Sequence, residues 1–341
     1  MGPSAGRYTT GNGCVSRLRG CMVSDLVRLM RPGDWTKNIF VLPAIVFSLP
    51  RMMETPATDT GVLTHMILAT IGAVAAFCLV SSGFYALNDV FDVEKDRQHP
   101  VKRKRPIAAG RVPTTVGMWL GVSLILIGGA IGLLVSTGLG MVLGLYALLQ
   151  ISYNLSLKYA LFVDVVAIAI GFALRSAGGA VAIDVQISVW LVLCAFFLCL
   201  YLGFIKRLCD IASAEAAGAV WQSPAGYRGR SEIEWLGGIS ATLAVVTYLM
   251  YALSEHSWSI FGARSIGFAL LTPLVLIAIH RFYRRASVGL SDSPLSALRE
   301  DVAVMLAVLL FGAGTIATLY VPAVEDALRA VFLITDRSTG P

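Results

Sequence analysis

Hydrophobic and polar positions alternate in this chain on the scale of whole helices rather than single residues. Apolar runs of about 17 or more residues recur along most of its length, each long enough to cross a hydrocarbon core as a helix. The pattern predicts nine spans, at about 36–53, 63–87, 115–137, 139–157, 160–181, 188–205, 236–254, 266–283 and 302–323. The expected fold is therefore all-α: a polytopic membrane protein with a nine-helix bundle over 25–323. A loose, Gly-, Ser- and Thr-rich tail over 1–24 precedes it and a short tail over 324–341 follows. The first span is the shortest and contains Pro43 and Pro50; neighbouring helices can satisfy the carbonyls these prolines free.

Composition agrees. The 341 residues are 56% hydrophobic and only 14% charged, where a soluble domain carries about 25% charged residues. That excludes a soluble enzyme, a disordered chain and a small disulfide-stapled domain. The six cysteines (Cys14, Cys21, Cys78, Cys194, Cys199 and Cys209) form no CxxC pair, so neither a zinc site nor a disulfide framework is expected. The first 25 residues hold no apolar core of a signal peptide.

The net charge of +6 matters less than where it sits. Basic residues cluster before span one (Arg28, Arg31, Lys37), after span two (Lys102 to Arg105, Arg111) and at Lys158. They cluster again at Lys206, Arg207, Arg228 and Arg230, then at Arg281, Arg284, Arg285 and Arg299. The intervening loops are short and hold few, chiefly Arg51 and Arg264. The alternation places the N-terminus in the cytoplasm and the protein in the cytoplasmic membrane, with its long polar loops, and hence its active-site cavity, on the cytoplasmic side. Membrane lipids are expected partners; nucleic acid is not.

Span two runs straight into Asn88, Asp89, Asp92 and Asp96. At about 100° per residue all four share an arc of about 100°, while Glu94 points elsewhere. Crowded carboxylates repel one another unless a cation lies between them. Hard divalent ions accept such oxygens, and Mg²⁺ takes one or two of them together with waters and substrate phosphates. Four basic residues, Lys102 to Arg105, follow at once, before Pro106 and Gly110 turn the chain. Acid to hold a metal and base to hold phosphate is the pattern of a diphosphate site; a solvated membrane-exit segment is the plain alternative.

The segment NDVFDVEKD resembles the NDxxDxxxD motif of the UbiA-type intramembrane prenyltransferases, and Arg105-Pro106-Ile107-Ala108-Ala109-Gly110 resembles the RPxxxG segment that follows it. Arg31-Pro32-Gly33-Asp34-Trp35-Thr36-Lys37-Asn38, DRQHPVKRKRPIAAG, Leu157-Lys158 and Leu174-Arg175-Ser176-Ala177-Gly178-Gly179 are similar to the decaprenyl-phosphate phosphoribosyltransferase branch. The usual second motif, DxxxD after span six, is absent. Lys206, Arg207, Asp210 and Glu215 stand there instead, closer to the KRxxE of that branch, with the role of Glu215 open.

The resemblance implies a Mg²⁺-dependent transfer of 5-phosphoribose from phosphoribosyl diphosphate to a polyprenyl (decaprenyl) phosphate, releasing diphosphate, in the supply of cell-wall precursors. Asn88, Asp89, Asp92 and Asp96 would hold the metal. Asp89, Asp92, Lys206 and Asp210 would form the catalytic set. Lys102 and Arg105 would bind diphosphate, and Lys37, Lys158, Lys206 and Arg207 the 5-phosphate or the acceptor phosphate. Arg175, about a turn or more inside span five, is a functional candidate because a cation there is costly; snorkelling to the interface is its plain reading. The four histidines (His65, His99, His256, His280) lack a partner motif, in keeping with an acceptor already anionic. His99 reads as structural or as a minor phosphate contact. Gly128-Gly129 and Gly178-Gly179 read as points of close helix approach. An aromatic prenyltransferase of the same superfamily is the second reading, and a lipid or anion transporter the third.

Overall fold

The chain enters the bundle through an unusual element. Pro32–Val41 forms a ten-residue 3-10 helix, and α1 (Pro43–Met53) continues it after Leu42. The expected first span is thus two pieces, because Pro43 lacks the N–H an unbroken helix would require. The structure is a computed structural model and describes residues 22–53, 60–186, 188–221, 223, 225–290 and 294–332. Cys14, Cys21 and most of the expected N-terminal tail lie outside these, as does the end of the C-terminal tail after 332.

Eight further helices among the described residues are long and apolar enough to cross a membrane: α2 (Thr60–Phe91), α3 (Thr114–Val135), α4 (Thr137–Leu155), α5 (Val163–Ala182), α6 (Val189–Ala216), α7 (Arg230–Ala252), α8 (Arg264–Ala286) and α9 (Val302–Tyr320). α8 is interrupted at Leu271, beside Pro273. Sequence neighbours pack as antiparallel pairs, with α2 on α3, α5 on α6 and α6 on α7 making the closest contacts. Local caps set several turns. Ser136 Oγ accepts from Leu139 N at 3.0 Å, so α4 starts one residue after α3 ends. Asp301 accepts from Ala303 and Val304 N and starts α9. Pro322–Val331, a further helix, takes in the end of the expected ninth span and the start of the expected C-terminal tail.

Burial shows which helix is central. Over its apolar window α5 is 56% buried, against 17% for α4. Bilayer-facing side chains on the outer helices stay bare, such as Leu126, Leu134 and Leu309. Charged groups on α5 are therefore enclosed by protein, whereas the same groups on α4 would face lipid.

The 3-10 helix packs between α2 and α5. Three residues of 3-10 helix rise about 6 Å, and so do four residues of α-helix. The two can therefore pair side chains rung by rung. Trp35 Nε1 donates to Ser82 Oγ at 3.0 Å, and three residues on, Asn38 Nδ2 donates to Cys78 Sγ at 3.0 Å, four residues back along α2. Nearer the mouth, Arg31 reaches Asp89. Trp35 thus belongs to this wall. Gly179 permits the approach on the α5 side: a Cβ there would stand 2.1 Å from the Val41 carbonyl oxygen.

At about 1.5 Å per residue the 32-residue α2 is some 48 Å long, well over a hydrocarbon core of about 30 Å. Its C-terminal turn carries the acidic motif to one end of the bundle. The α2–α3, α4–α5, α6–α7 and α8–α9 connections share that end.

Candidate active site

Asn88 and Asp89 close α2, and Asp92 and Asp96 continue on the next turn, Val93–Gln98. The Asp92 N–H to Asn88 and Asp96 N–H to Asp92 carbonyl bonds carry the helical path across the junction. Asp89 and Asp96 share one cation, Arg105, and Asp92 lies near Lys158. Asp89 and Asp96 are buried, while Glu94 points outward and pairs with Arg97 at 2.8 Å.

Two buried carboxylates this close require positive charge between them, and Arg105 supplies it. Its Nη1 lies 3.0 Å from Asp89 Oδ1 and 2.6 Å from Asp96 Oδ2. Arg31 donates to the same Asp89 oxygen at 2.5 Å, and Lys158 Nζ stands 3.6 Å from Asp92. Among the described residues no set of three acidic, His or Cys side chains forms a metal cage by itself. Arginine already occupies the space between the carboxylates. The donor set of carboxylate oxygens with one amide is nonetheless the hard-oxygen kind that suits a divalent cation.

The RPxxxG turn is held from below. Arg111 Nε donates to buried Asp25 at 2.9 Å and its Nη2 to the Lys104 carbonyl at 3.1 Å. His99 Nδ1 accepts from Val101 and Lys102 N, the structural one of its two readings. Lys102 itself is exposed on this turn. Lys37 pairs with Asp34 at 2.7 Å and lies over the Tyr85 ring, which Arg31 also covers at 4.9 Å. Arg31 adopts a left-handed conformation (φ 50°), costing about 1–2 kcal/mol.

The remaining expected residues fall in two other places. Arg207 pairs with buried Asp164, whose other oxygen accepts from the Tyr227 hydroxyl at 2.7 Å. That hydroxyl in turn accepts from Phe162 N at 3.1 Å, which holds a second left-handed residue, Phe162 at φ 68°, next to the Lys158 turn. Burial and then the Asp164 carboxylate push the Tyr227 phenol well above the tyrosine range. Lys206 and Asp210 are exposed on α6. α6 runs unbroken to Ala216, so Asp210 and Glu215 point about 140° apart, and Glu215 pairs with Arg230 at 3.0 Å.

Arg175 departs most from expectation. It neither snorkels nor faces an open site: it is 4% exposed and donates to Asn38 Oδ1, the Gly171 carbonyl and the Tyr146 hydroxyl, each at 2.8 Å. Beyond it, towards the far end of the bundle, lies a cavity of about 470 Å³ lined by Phe47, Ser48, Ser176, Ser188, Tyr251 and His256.

Sequence reasoning singled out the acidic residues and Arg105, which the structure brings together, but gave no role to Arg31, Asn38, Asp25, Tyr146 or Tyr227. The first two lie inside the segment Arg31–Asn38 whose similarity was noted, the one signal available for them. Nothing in the local pattern marks the other three.

The chain is similar to known proteins in sequence and in fold. The profile of the UbiA prenyltransferase family matches residues 41–297. A decaprenyl-phosphate phosphoribosyltransferase of Mycobacterium tuberculosis is 30% identical over 84% of this chain and 91% of its own. One from Mycolicibacterium smegmatis is 32% identical over 69% of this chain and 72% of its own. Among solved structures, a UbiA homologue from Archaeoglobus fulgidus bound to GPP and Mg²⁺ shares the fold with a TM-score of 0.58 at 16% identity, over 90% of this chain and 99% of that one. A motif read from the sequence, the helical fold and these relatives agree: the chain is an integral membrane transferase that belongs to the UbiA prenyltransferase family, on the branch of its phosphoribosyltransferase relatives.

Proposed function

We propose that this enzyme transfers 5-phosphoribose from phosphoribosyl diphosphate to a polyprenyl phosphate, decaprenyl phosphate in the first instance, at the cytoplasmic face of the inner membrane with its N-terminus inside. One observation carries the reading. Three cations from three separate segments, Arg31, Arg105 and Lys158, contact the acidic motif, and a fourth, Lys37, lies over Tyr85 one turn before it. A prenyl diphosphate presents only its diphosphate, whereas phosphoribosyl diphosphate adds a third phosphate and ribose hydroxyls. The names of the relatives on this branch support the same donor.

In the proposed reaction the bond from the anomeric carbon to diphosphate breaks, and its electron pair leaves with diphosphate. An oxygen of the polyprenyl phosphate then forms the new bond to that carbon. The acceptor is already an anion, so no strong base is required, which suits a site without a histidine motif. Charge grows on the leaving diphosphate, and preplaced cations stabilise it there. Arg31 and Arg105, which stand at Asp89 and Asp96, would serve that role; Lys102 on its exposed turn would add a further contact. Asn88, Asp89, Asp92 and Asp96 would hold the Mg²⁺, which when bound neutralises and orients the diphosphate. Lys37 and Lys158 are assigned to the 5-phosphate, with Lys206, Arg207 and Asp210 on the side where the acceptor phosphate would enter.

Purified protein given Mg²⁺, radiolabelled phosphoribosyl diphosphate and a polyprenyl phosphate should form labelled lipid and release diphosphate. Absence of labelled lipid, with product formed instead from a prenyl diphosphate and an aromatic acceptor, would assign the chain to the aromatic prenyltransferases.

A further inference from the structure

Arg175 buries a positive charge in the middle of the central helix, and among the described residues no carboxylate pairs with it. Its partners are neutral: an amide oxygen, a backbone carbonyl and a phenol, each at 2.8 Å. Three rings, those of Tyr146, Phe172 and Phe77, surround the guanidinium at 4.7 to 5.9 Å. Such a group is expensive to bury, and at 4% exposure it offers a substrate almost no surface. Its role lies in what it holds.

The most informative partner is Asn38. The Asn38 amide accepts from Arg175 on α5 and donates to Cys78 on α2, so one side chain links both walls to the 3-10 helix between them. Lys37 is its immediate neighbour, and Arg31 lies seven residues earlier, about 14 Å along a 3-10 helix. Runs of 3-10 helix longer than three or four residues are uncommon because their hydrogen bonds are poorly aligned. A ten-residue run is held by its side-chain partners. Trp35 grips Ser82 midway, Ser82 Oγ donates to the Met30 carbonyl at 2.7 Å, and Asn38 anchors the deep end.

We infer that Arg175 and Asn38 are positioning residues that set the register of the 3-10 helix and, through it, hold Lys37 over Tyr85 and Arg31 against Asp89 of the acidic motif. Tyr146 is the third member: its ring and hydroxyl orient the guanidinium towards Asn38. This replaces the expectation that Arg175 binds substrate directly. The kinetic consequence rests on the phosphoribosyl reading, while the mechanical one does not.

Asn38→Ala should raise KM for phosphoribosyl diphosphate about tenfold through Lys37 and lower kcat through Arg31, with KM for polyprenyl phosphate within twofold of wild type. Tyr146→Phe, which keeps the ring and removes only the hydroxyl that accepts from Arg175 and Gln150, should give a smaller rise of the same kind, about threefold. A merely structural role would lower kcat through a smaller active fraction and leave both KM values unchanged; that outcome overturns the inference. A second readout uses no substrate. Alkylation of Cys78 by a small maleimide, followed by peptide mass spectrometry, should quicken at least threefold in Asn38→Ala, and an unchanged rate also overturns it. If wild-type protein makes no labelled lipid the proposed reaction fails, and the positioning role then stands or falls on Cys78 labelling.

Discussion

Arg31 donates to Asp89 at 2.5 Å across 58 residues of chain. The contact joins the entry of the bundle to its acidic motif, and it holds Arg31 in a left-handed conformation that non-glycine residues avoid. Strain of this kind persists where surrounding contacts over-determine it. Here those contacts are the buried carboxylate and the Tyr85 ring. The cations around the motif are therefore built into the fold rather than borrowed from a solvated loop.

Replacing Arg105 with Gln would leave Asp89 and Asp96 facing each other with Arg31 alone to compensate. Breaking a buried pair costs about 3–5 kcal/mol, and the lower end applies because Arg105 is itself one-quarter exposed. Arg105→Gln should unfold at lower temperature than wild type in EDTA, and Mg²⁺ should recover more of the loss than it adds to wild type. Thermal unfolding in detergent with and without Mg²⁺ checks this; equal Mg²⁺ responses would argue against a shared cation site.

A methyl group at Gly179 would collide with the Val41 carbonyl oxygen, which is backbone and cannot swing aside. Gly179→Ala should cost about 1–3 kcal/mol as an overpacked contact and lower activity by displacing the helix that carries Lys37. Gly129→Ala, where nothing lies within 4 Å, serves as the control and should match wild type in melting temperature.

Tyr227 keeps its proton because burial and the Asp164 carboxylate both oppose ionisation. A group whose pKa is raised on folding contributes stability that is full below its unfolded value, about 10, and is lost as pH rises towards the folded value. Wild type should thus lose stability above about pH 10 more steeply than Tyr227→Phe. The variant should also be less stable at pH 7, by about 1.5–3 kcal/mol for the lost hydrogen bond to a charged partner. Melting curves from pH 7 to 11 test both; parallel curves would place Tyr227 outside the Asp164 cluster.

Asp301 behaves in the opposite sense. Burial alone would raise its pKa, but N–H donors from Val304 and Ala303 and the Arg281 guanidinium at 3.1 Å outweigh it and hold the carboxyl below the ordinary range. Its contribution is present above the unfolded value, about 3.9, and is lost as pH falls through the folded one. Asp301→Ala should cost about 1 kcal/mol as a lost helix cap at neutral pH and less at pH 2. Unfolding of the two proteins at both values decides it.

The fold class, the long helices α2 to α9 and the acidic face of Asn88, Asp89, Asp92 and Asp96 were legible in the sequence. Membrane spans must satisfy their own backbone, so hydropathy and length suffice to find them. A helical face follows from spacing alone. Even the need for a cation among the carboxylates could be foreseen, since repulsion is local. Tertiary structure decided which cation meets which anion. Arg31 on Asp89, Arg111 on Asp25, Arg207 on Asp164 and Arg175 on Asn38 join residues 43 to 137 positions apart, and no periodicity encodes such partners. Burial was likewise a tertiary outcome. Arg175 looked like a substrate ligand from its depth in a span, but α5 is the enclosed centre of the bundle, and enclosure turned that cation inward onto the Asn38 amide.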